Sequence, residues 1–230
     1  MSPPIQRRAR SISYSELKIT GPPLYGQGKV VEDPNVGSSS LSPKEESSSS
    51  STLSSSFPSL DASKTALLVV DIQPEYWSNC PAVRQDFPNF PDKVAALLKQ
   101  CRHPTDGVGK IVWVRAEYSY ETSPWLAQFS RLHKGRIPPI VAPSTEWESF
   151  ATPDSDSPKE HIMTKSSWSS TSQTELLDIL RDAGIETVLV CGLITSVCVQ
   201  HSAFGVFEAG FRTMLVTDAC ADRYVLNNLG

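Results

Sequence analysis

Residues 65–71 read Thr-Ala-Leu-Leu-Val-Val-Asp, an apolar run that closes on an acidic residue. A continuous apolar run of this length is typical of a strand that is buried on both faces of a parallel sheet. Residues 109–115, 186–192 and 211–217 also contain apolar runs that are typical of buried strands. We therefore predict four buried strands, and the one at residues 65–71 comes first.

Helical patterns lie between these strands. One amphipathic pattern begins at Pro91, and another spans about residues 197–209 and ends at Gly210. Ser172 and Glu175 have the spacing of a capping box at the start of a further helix. The alternation of strands and helices predicts an α/β fold with a doubly wound, mostly parallel sheet and helices on both faces, in a Rossmann-like three-layer arrangement.

The first part of the chain differs in composition from the rest. Residues 1–61 are rich in serine and proline, and such a segment buries too little apolar surface to offset its chain entropy. We predict a disordered tail there and one folded domain over residues 62–230. Within that domain, residues 117–160 are rich in proline and lack a buried-strand pattern, so we interpret them as a lid or, alternatively, a subunit contact.

Charge and hydropathy limit the partners that we expect. The net charge of -4 argues against a general nucleic-acid or anionic-membrane binder. No apolar run approaches the ~20 residues of a membrane span, and no signal-peptide core lies near Met1. We expect a cytoplasmic protein that binds a small molecule. The basic opening at residues 7–10 keeps a mitochondrial transit peptide as the alternative.

The cysteines favour free thiols in a reducing compartment, because their number is odd and no CxxC occurs. Each is therefore a small core residue or a reactive group, and a thiol-redox function is disfavoured. The histidines show no HxH or HExxH spacing, so no zinc site is predicted. The five cysteines are Cys80, Cys101, Cys191, Cys198 and Cys220.

Three reactive groups follow apolar segments, where ligands bind in open α/β sheets. Asp71 and Lys165 each end such a segment, and Cys198 follows the third buried strand. We expect a nearby ammonium and a helix N-terminus to lower the pKa of Cys198, so that Asp71 exchanges the thiol proton with a leaving group. Backbone amides of residues 193–197 are candidates for an oxyanion hole. From the residues alone, a structural role for each group stays open, and His201 is an alternative base.

Three motifs in this order resemble the isochorismatase-like cysteine hydrolases. They occupy residues 69–76, 165–176 and 191–199, and the likeness covers about residues 63–223. The resemblance implies that Asp71, Lys165 and Cys198 form a catalytic triad. It also implies a cis peptide bond between residues 193 and 194, with the amides of Ile194 and Cys198 as the oxyanion hole.

Departures from the family narrow the expected reaction. Nicotinamidases of this family carry an aspartate and histidines after the second strand to hold a metal, whereas residues 115–120 here read Arg-Ala-Glu-Tyr-Ser-Tyr. We therefore expect no metal and no cofactor. The presence of Cys198 favours cleavage of a C–N bond in a small amide or ureide, through a thioester, over cleavage of a vinyl ether. The candidate substrate-binding residues are Gln73, Tyr76, Tyr118 and Trp168.

The C-terminal end differs from the family pattern as well. The family continues after the segment that matches residues 218–223 with a helix and a last strand, but this chain ends at Gly230. We expect a sheet without that last helix and strand, and hence an unpaired edge that favours a homo-oligomer. The alternative function is a catalytically inactive, truncated protein that acts as a binding or regulatory partner.

Overall fold

The structure, a computed structural model, describes residues 60–135 and 146–223 of the chain. The predicted tail, apart from its last two residues, lies outside the described residues, as does the end of the chain after residue 223. The five described strands form one sheet in which all neighbours are parallel. They are β1 (Thr65–Val70), β2 (Lys110–Ala116), β3 (Glu160–Lys165), β4 (Thr187–Leu193) and β5 (Arg212–Ala221).

Five α-helices of the described residues connect or flank the strands, and the predicted α/β class is confirmed. They are α1 (Pro81–Asp86), α2 (Phe90–Cys101), α3 (Trp125–Leu132), α4 (Glu175–Asp182) and α5 (Gln200–Glu208). None of the helices in the described part of the chain is long and apolar enough to cross a membrane.

The predicted capping box is wrong. Residues Ser170–Ser172 form a separate short 3-10 turn, and the Ser172 hydroxyl donates to the carbonyl oxygen of Ser169 at 2.8 Å. Helix α4 follows Thr174, whose side chain makes no capping hydrogen bond. The spacing of serine and glutamate matches the motif, but the Ser172 hydroxyl forms its hydrogen bond within the preceding turn and does not cap α4.

The strand order places a crevice at the centre of the sheet. The order is β3-β2-β1-β4-β5, so the chain proceeds from β1 to one side and later from β4 to the other. With right-handed crossovers, the helices of the two halves cover opposite faces. The carboxyl ends of β1 and β4 are thus neighbours at the point where the order reverses, which is where ligands bind in such sheets.

The central strands of the sheet are more deeply buried than the edge strand β5. Every residue of β1 and of β4 is buried, in agreement with the prediction from their unbroken apolar runs. Strand β5 is exposed or half-buried over most of its first seven residues. In the described residues β5 is hydrogen-bonded to β4 alone, so it forms an edge of the sheet there. The residues after 223, on which the expected loss of a last helix and strand depends, lie outside the described residues.

Gly192 permits the close approach of β4 to β1. Its φ is +122°, and a Cβ atom there would lie 2.0 Å from the carbonyl oxygen of Val70, with which it is in register. A side chain would therefore meet backbone that has no free direction of movement. The close contact brings the segment after β4 against the residue that ends β1.

We expect Gly192→Ala to lower the free energy of unfolding by about 3 kcal/mol or more, because the unfavourable φ and the steric conflict add. Gly210→Ala is the matched control, since Gly210 has a φ of +96° with no atom within 4 Å of the added Cβ. The control should cost only ~1–2 kcal/mol. Urea unfolding measures both, and equal losses would contradict the steric explanation.

Candidate active site

The ends of the first four strands converge on one buried cluster of polar side chains. Asp71 directly follows β1, Tyr118 lies two residues after β2, Lys165 is the last residue of β3, and Cys198 follows β4. Their exposed fractions are 1%, 2%, 0% and 6% respectively. Because parallel strands present their carboxyl ends at one edge, residues far apart in the sequence meet here. The three predicted catalytic residues thus lie together.

The Lys165 ammonium is the centre of this cluster. Its Nζ lies 2.8 Å from Oδ2 of Asp71, 2.9 Å from the Tyr118 hydroxyl and 3.0 Å from the Ser167 carbonyl oxygen. The Sγ of Cys198 is a fourth neighbour at 3.4 Å. An ammonium has three protons, and these four neighbours share them. Tyr118, Ser167 and Cys198 accept hydrogen bonds, and Asp71 is the counter-ion of the ammonium.

A lysine is needed at this position for reasons of length. Strand β3 is two strands away from β1, and neighbouring strands are about 4.8 Å apart, so the side chain has to cross the end of β2. The flexible four-carbon stem of Lys165 spans this distance and is itself fully buried. The apolar stem and the charged head therefore serve packing and electrostatics at once.

Asp71 stands in an unusual backbone conformation, with φ at +49°. The left-handed region costs a residue other than glycine ~1–2 kcal/mol, although aspartate tolerates it better than most. Two backbone hydrogen bonds hold this turn: the Asp71 N–H donates to Val114 at 2.9 Å, and the Asp71 carbonyl accepts from Gln73 at 2.9 Å. The chain thereby leaves the sheet with the carboxylate directed at Lys165.

Cys198 lies in a wide turn between β4 and α5. The predicted cis peptide bond between Leu193 and Ile194 is confirmed. Residues Thr195–Val199, which we call the cysteine turn, form one π-helical turn, and the Ile194 carbonyl accepts from the N–H groups of Val197 and Val199. The prediction of one regular helix from about residue 197 is therefore wrong in its first residues.

Asp222 fastens the cysteine turn to the end of β5. Its two carboxylate oxygens accept from the N–H and the hydroxyl of Ser196, at 2.7 Å and 3.1 Å. The hydroxyl of Thr195 donates to the carbonyl oxygen of Ala221 at 3.0 Å. This contact was not predicted from the sequence, although two hydroxyl residues in the turn and an acid after the next strand indicate it.

The expected lowering of the thiol pKa is wrong. Burial and, after it, the charge of Asp71 raise the pKa of Cys198 to about 12, although the Lys165 ammonium opposes them. Burial also raises the pKa of Asp71, against the opposing charge of Lys165. For Lys165, burial lowers the pKa, but the negative charge of the Asp71 carboxylate opposes this and the pKa is raised. The resting cluster therefore consists of a neutral thiol beside an ion pair.

Two of the four predicted substrate-binding residues have other partners. The side-chain amide of Gln73 bonds to the backbone of Ala116, accepting from its N–H at 2.8 Å and donating to its carbonyl at 3.3 Å. This pair joins the ends of β1 and β2. Tyr118 contacts Lys165, as described above, and its hydroxyl lies 3.5 Å from Sγ of Cys198. A substrate contact for either residue stays a prediction.

Tyr76 and Trp168 are the other two predicted substrate-binding residues. Tyr76 is buried, and no hydrogen-bond partner for its hydroxyl occurs among the residues that the structure describes. The Arg223 guanidinium lies 5.7 Å from the Tyr76 ring. Trp168 is half-buried and packs its ring edge-on against Trp125 at 5.3 Å. Both predictions of substrate contact remain open on this geometry.

Helix α3, within the predicted excursion at 117–160, packs beside the cluster. The Trp125 ring lies 5.1 Å from that of Tyr118, and Phe129 lies 6.2 Å from Trp168. The Trp125 indole and the Ser123 hydroxyl both donate to one backbone carbonyl, that of Ser166. Hydrogen bonds thus attach the start of helix α3 to the segment after β3, near the site. A role of the excursion as a lid or an interface stays a prediction, because residues 136–145 lie outside the described residues.

The remaining candidates for the site have other contacts. The Nδ1 of His201 lies 2.7 Å from the Val197 carbonyl oxygen. This nitrogen therefore contacts the backbone of its own helical turn and does not serve as the base for Cys198. Arg115 and Glu117, at the place of the metal ligands in nicotinamidases, form an ion pair. Within residues 60–135 and 146–223, no group of three or more histidine, cysteine or acidic residues is arranged to hold a metal.

The site thus combines a carboxylate after β1, an ammonium at the end of β3 and a thiol after β4, in a doubly wound α/β fold. The family model described as the isochorismatase domain matches residues 65–227. The match covers most of the chain, and the protein therefore belongs to the isochorismatase family of hydrolases.

Individual relatives agree with this family. An uncharacterized isochorismatase family protein of Escherichia coli O157:H7 is 29% identical over 169 residues, which are 70% of this chain and 82% of that protein. Streptothricin hydrolase of Streptomyces noursei is 29% identical over 68% of this chain and 49% of its own length. The crystal structure of N-carbamoylsarcosine amidase from Thermoplasma acidophilum has a TM-score of 0.54 at 24% identity, over 71% of this chain and 87% of that chain.

We expect Lys165→Met to destabilise the fold by ~3–5 kcal/mol near neutral pH, because it leaves the Asp71 carboxylate buried without a cation. In the variant the folded pKa of Asp71 lies further above its unfolded value. The loss should therefore be small at low pH, where Asp71 is protonated, and should grow as the pH rises above about 4.

Urea unfolding at several pH values measures this loss. Lys64→Met is the control, since Lys64 forms an ion pair with Glu186 in which the side chains are 50% and 66% exposed. Such a surface pair contributes only ~0–1 kcal/mol. A Lys165→Met penalty that does not change with pH would contradict the assignment to Asp71.

We expect Asp222→Ala to cost ~1–3 kcal/mol, since it removes both acceptors of Ser196. Ser196→Ala removes only the hydroxyl bond and should cost less, ~0.5–1.5 kcal/mol. Urea unfolding gives both values, and amide hydrogen exchange at Ser196 should accelerate in Asp222→Ala only. Equal exchange rates in the two variants would show that Asp222 does not hold the turn.

Proposed function

We propose that the protein is a metal-independent cysteine hydrolase that cleaves a C–N bond of a small amide or ureide through a thioester acyl-enzyme. The observation that carries this proposal is the Lys165 ammonium, which contacts both the Asp71 carboxylate and the Cys198 thiol in one buried cluster. Asp71, Lys165 and Cys198 are the proposed catalytic residues, and no cofactor takes part.

The first step forms a bond between Sγ of Cys198 and the carbonyl carbon of the substrate. Because the thiol pKa is raised to about 12, little thiolate is present at neutral pH. The proton therefore has to leave as the carbon–sulfur bond forms. Asp71 is the proposed acceptor, and burial, by raising its pKa, makes it a stronger base than an exposed carboxylate.

Negative charge passes to the carbonyl oxygen in this step. The proposed oxyanion hole consists of the N–H groups of Ile194 and Cys198, at the two ends of the segment that begins at the cis peptide bond. The cysteine turn holds these groups in a fixed arrangement before the reaction, which is the property that makes an oxyanion hole effective. Lys165 keeps its positive charge while Asp71 is neutralised by the proton and the negative charge moves to the oxyanion.

The C–N bond then breaks, and the leaving nitrogen takes the proton from Asp71. The product of this half-reaction is a thioester on Cys198 and a free amine or ammonia. In the second half, a water molecule attacks the thioester while Asp71 accepts its proton. The carboxylic acid leaves, and the proton returns to the thiol of Cys198. The balance requires only water as co-reactant.

Burial and the relatives support the choice of substrate class. A cluster in which every side chain is at most 6% exposed admits only a compact reacting group. Tyr76 adds a buried hydroxyl with no partner among the described residues, and Trp168 adds an aromatic face, so both are proposed substrate contacts. Streptothricin hydrolase, a relative of this chain, is named as a hydrolase, and N-carbamoylsarcosine amidase, which shares the fold, is named as an amidase.

We expect the full chain to release ammonia or an amine from at least one member of a panel of small amides and ureides. Cys198→Ala should reduce turnover by at least about 10³-fold, because the nucleophile is lost. Cys101→Ala is the matched control: this buried cysteine ends α2, and its removal should leave turnover intact.

Mass spectrometry gives a second readout of the same proposal. Rapid acid quenching during turnover should show the acyl mass on the peptide that contains Cys198, and hydroxylamine should remove it. A folded wild-type chain that hydrolyses no amide or ureide, or a Cys198→Ala variant with full turnover, would exclude the proposed mechanism. The first of these results would favour the alternative of an inactive binding partner.

A further inference from the structure

We propose that the Tyr118 hydroxyl is a catalytic hydrogen-bond donor to the sulfur of Cys198, and that it acts together with Lys165 rather than as a wall of the substrate pocket. The inference rests on the proposed function and adds a fourth residue to its machinery. The observation that carries it is that this hydroxyl contacts both the ammonium, at 2.9 Å, and the sulfur, at 3.5 Å.

The hydrogen-bond roles of the Tyr118 hydroxyl are fixed by its neighbours. Lys165 has no lone pair at Nζ and can only donate, so at 2.9 Å the hydroxyl oxygen accepts from it. The hydroxyl proton is therefore left for a different acceptor. Two acceptors are within reach: the Ser167 carbonyl oxygen at 3.4 Å and the sulfur of Cys198 at 3.5 Å.

The choice between these acceptors depends on the state of the sulfur. A neutral thiol is a weak acceptor, whereas a thiolate is a strong one, and hydrogen bonds to charged groups are about twice as strong as neutral ones. The Ser167 carbonyl also accepts from Lys165 at 3.0 Å, so it is already satisfied without Tyr118. The hydroxyl can thus rotate its proton to the sulfur as negative charge develops there.

Lys165 alone cannot supply this stabilisation without a cost. Its three protons are shared among four neighbours, the three oxygen atoms and the sulfur at 3.4 Å, so a stronger bond to the sulfur weakens one of the other contacts. Tyr118 provides an additional donor with no such loss. The hydrogen bond from Tyr118 acts to lower the pKa of Cys198, although burial and Asp71 outweigh it.

The ring of Tyr118 is held firmly enough for this role. The side chain is 2% exposed, and Trp125 of α3 packs edge-on against it at 5.1 Å. Burial and the nearby charges of Asp71 and Cys198 raise the pKa of Tyr118, so the phenol keeps its proton and remains a donor. Replacement of the hydroxyl by hydrogen in Tyr118→Phe keeps these ring contacts.

The test measures the labelling rate of Cys198 by iodoacetamide over a range of pH, with the full chain and without substrate. Peptide mass spectrometry assigns the label to Cys198 among the five cysteines. We expect Tyr118→Phe to raise the apparent pKa of labelling by about one unit and to slow labelling about tenfold at pH 8. Tyr120→Phe is the matched control, since Tyr120 is 55% exposed and two residues away, and its profile should equal that of the wild type.

A second variant covers the case in which Tyr118→Phe folds poorly. Incorporation of a ring-fluorinated tyrosine at position 118 makes the hydroxyl a stronger donor and keeps its size nearly unchanged. Labelling of Cys198 should then become faster at fixed pH, which a purely structural role of the hydroxyl does not predict. Thermal unfolding of each variant shows whether a rate change follows a loss of stability instead.

The outcomes separate this inference from the proposed function. A Tyr118→Phe variant that labels like the wild type at every pH overturns the inference, whether or not the wild type hydrolyses amides. A shifted profile supports the inference, and it does so even if no amide in the panel is hydrolysed, because labelling reports the thiol without any substrate. A lower unfolding midpoint with an unshifted pH profile also overturns it.

Discussion

The ion pair between Lys165 and Asp71 is the interaction on which the site depends. Its Nζ–Oδ2 distance is 2.8 Å, and both side chains are almost completely buried. Two charges removed from water are tolerated only when they are paired, and Asp71 depends on this pair because its oxygens have no other hydrogen-bond partner among the described residues. The hydroxyl of Tyr118 and the carbonyl of Ser167 complete the shell of the ammonium. The pair thereby sets the local potential that the thiol experiences.

The backbone around this pair is arranged to bring the thiol close to it. Gly192 lets β4 approach β1 without a steric conflict, and the cis peptide bond and the cysteine turn directly follow it. Asp222 then ties the turn to the end of β5. Each of these features lies at the carboxyl edge of the sheet, where side chains from different strands meet. The sheet therefore supplies rigidity, and the loops at its edge supply the reactive groups.

Burial determines how such a site can react. An exposed thiol beside a lysine would ionise readily, but here burial and the Asp71 carboxylate keep the thiol protonated. A resting thiolate next to a carboxylate would place two negative charges against one ammonium in a medium of low dielectric constant. The arrangement favours a proton transfer that accompanies the attack, with Asp71 exchanging the proton and Lys165 balancing the charge throughout.

Much of this protein follows from local patterns in its sequence. The unbroken apolar runs at residues 65–71 and 186–192 predicted the buried central strands, and Asp71, Lys165 and Cys198 were candidates because each follows an apolar segment. Their assignment as a catalytic triad came from the resemblance to the isochorismatase-like hydrolases. These features depend on neighbours in the sequence, so a linear pattern records them. The capping box at Ser172 failed for the opposite reason, since a competing turn used its hydroxyl.

Other features were decided only by the tertiary structure. The raised pKa of Cys198, the bond from Lys165 to Tyr118 and the contact of Asp222 with Ser196 each join residues that are at least 26 positions apart or depend on burial. A sequence shows which ionisable groups are present, but it shows neither how deeply each is buried nor how they are arranged around the Lys165 ammonium. Desolvation and distances of a few ångströms set the charges in this site, and both come from the packing of four strand ends against one another.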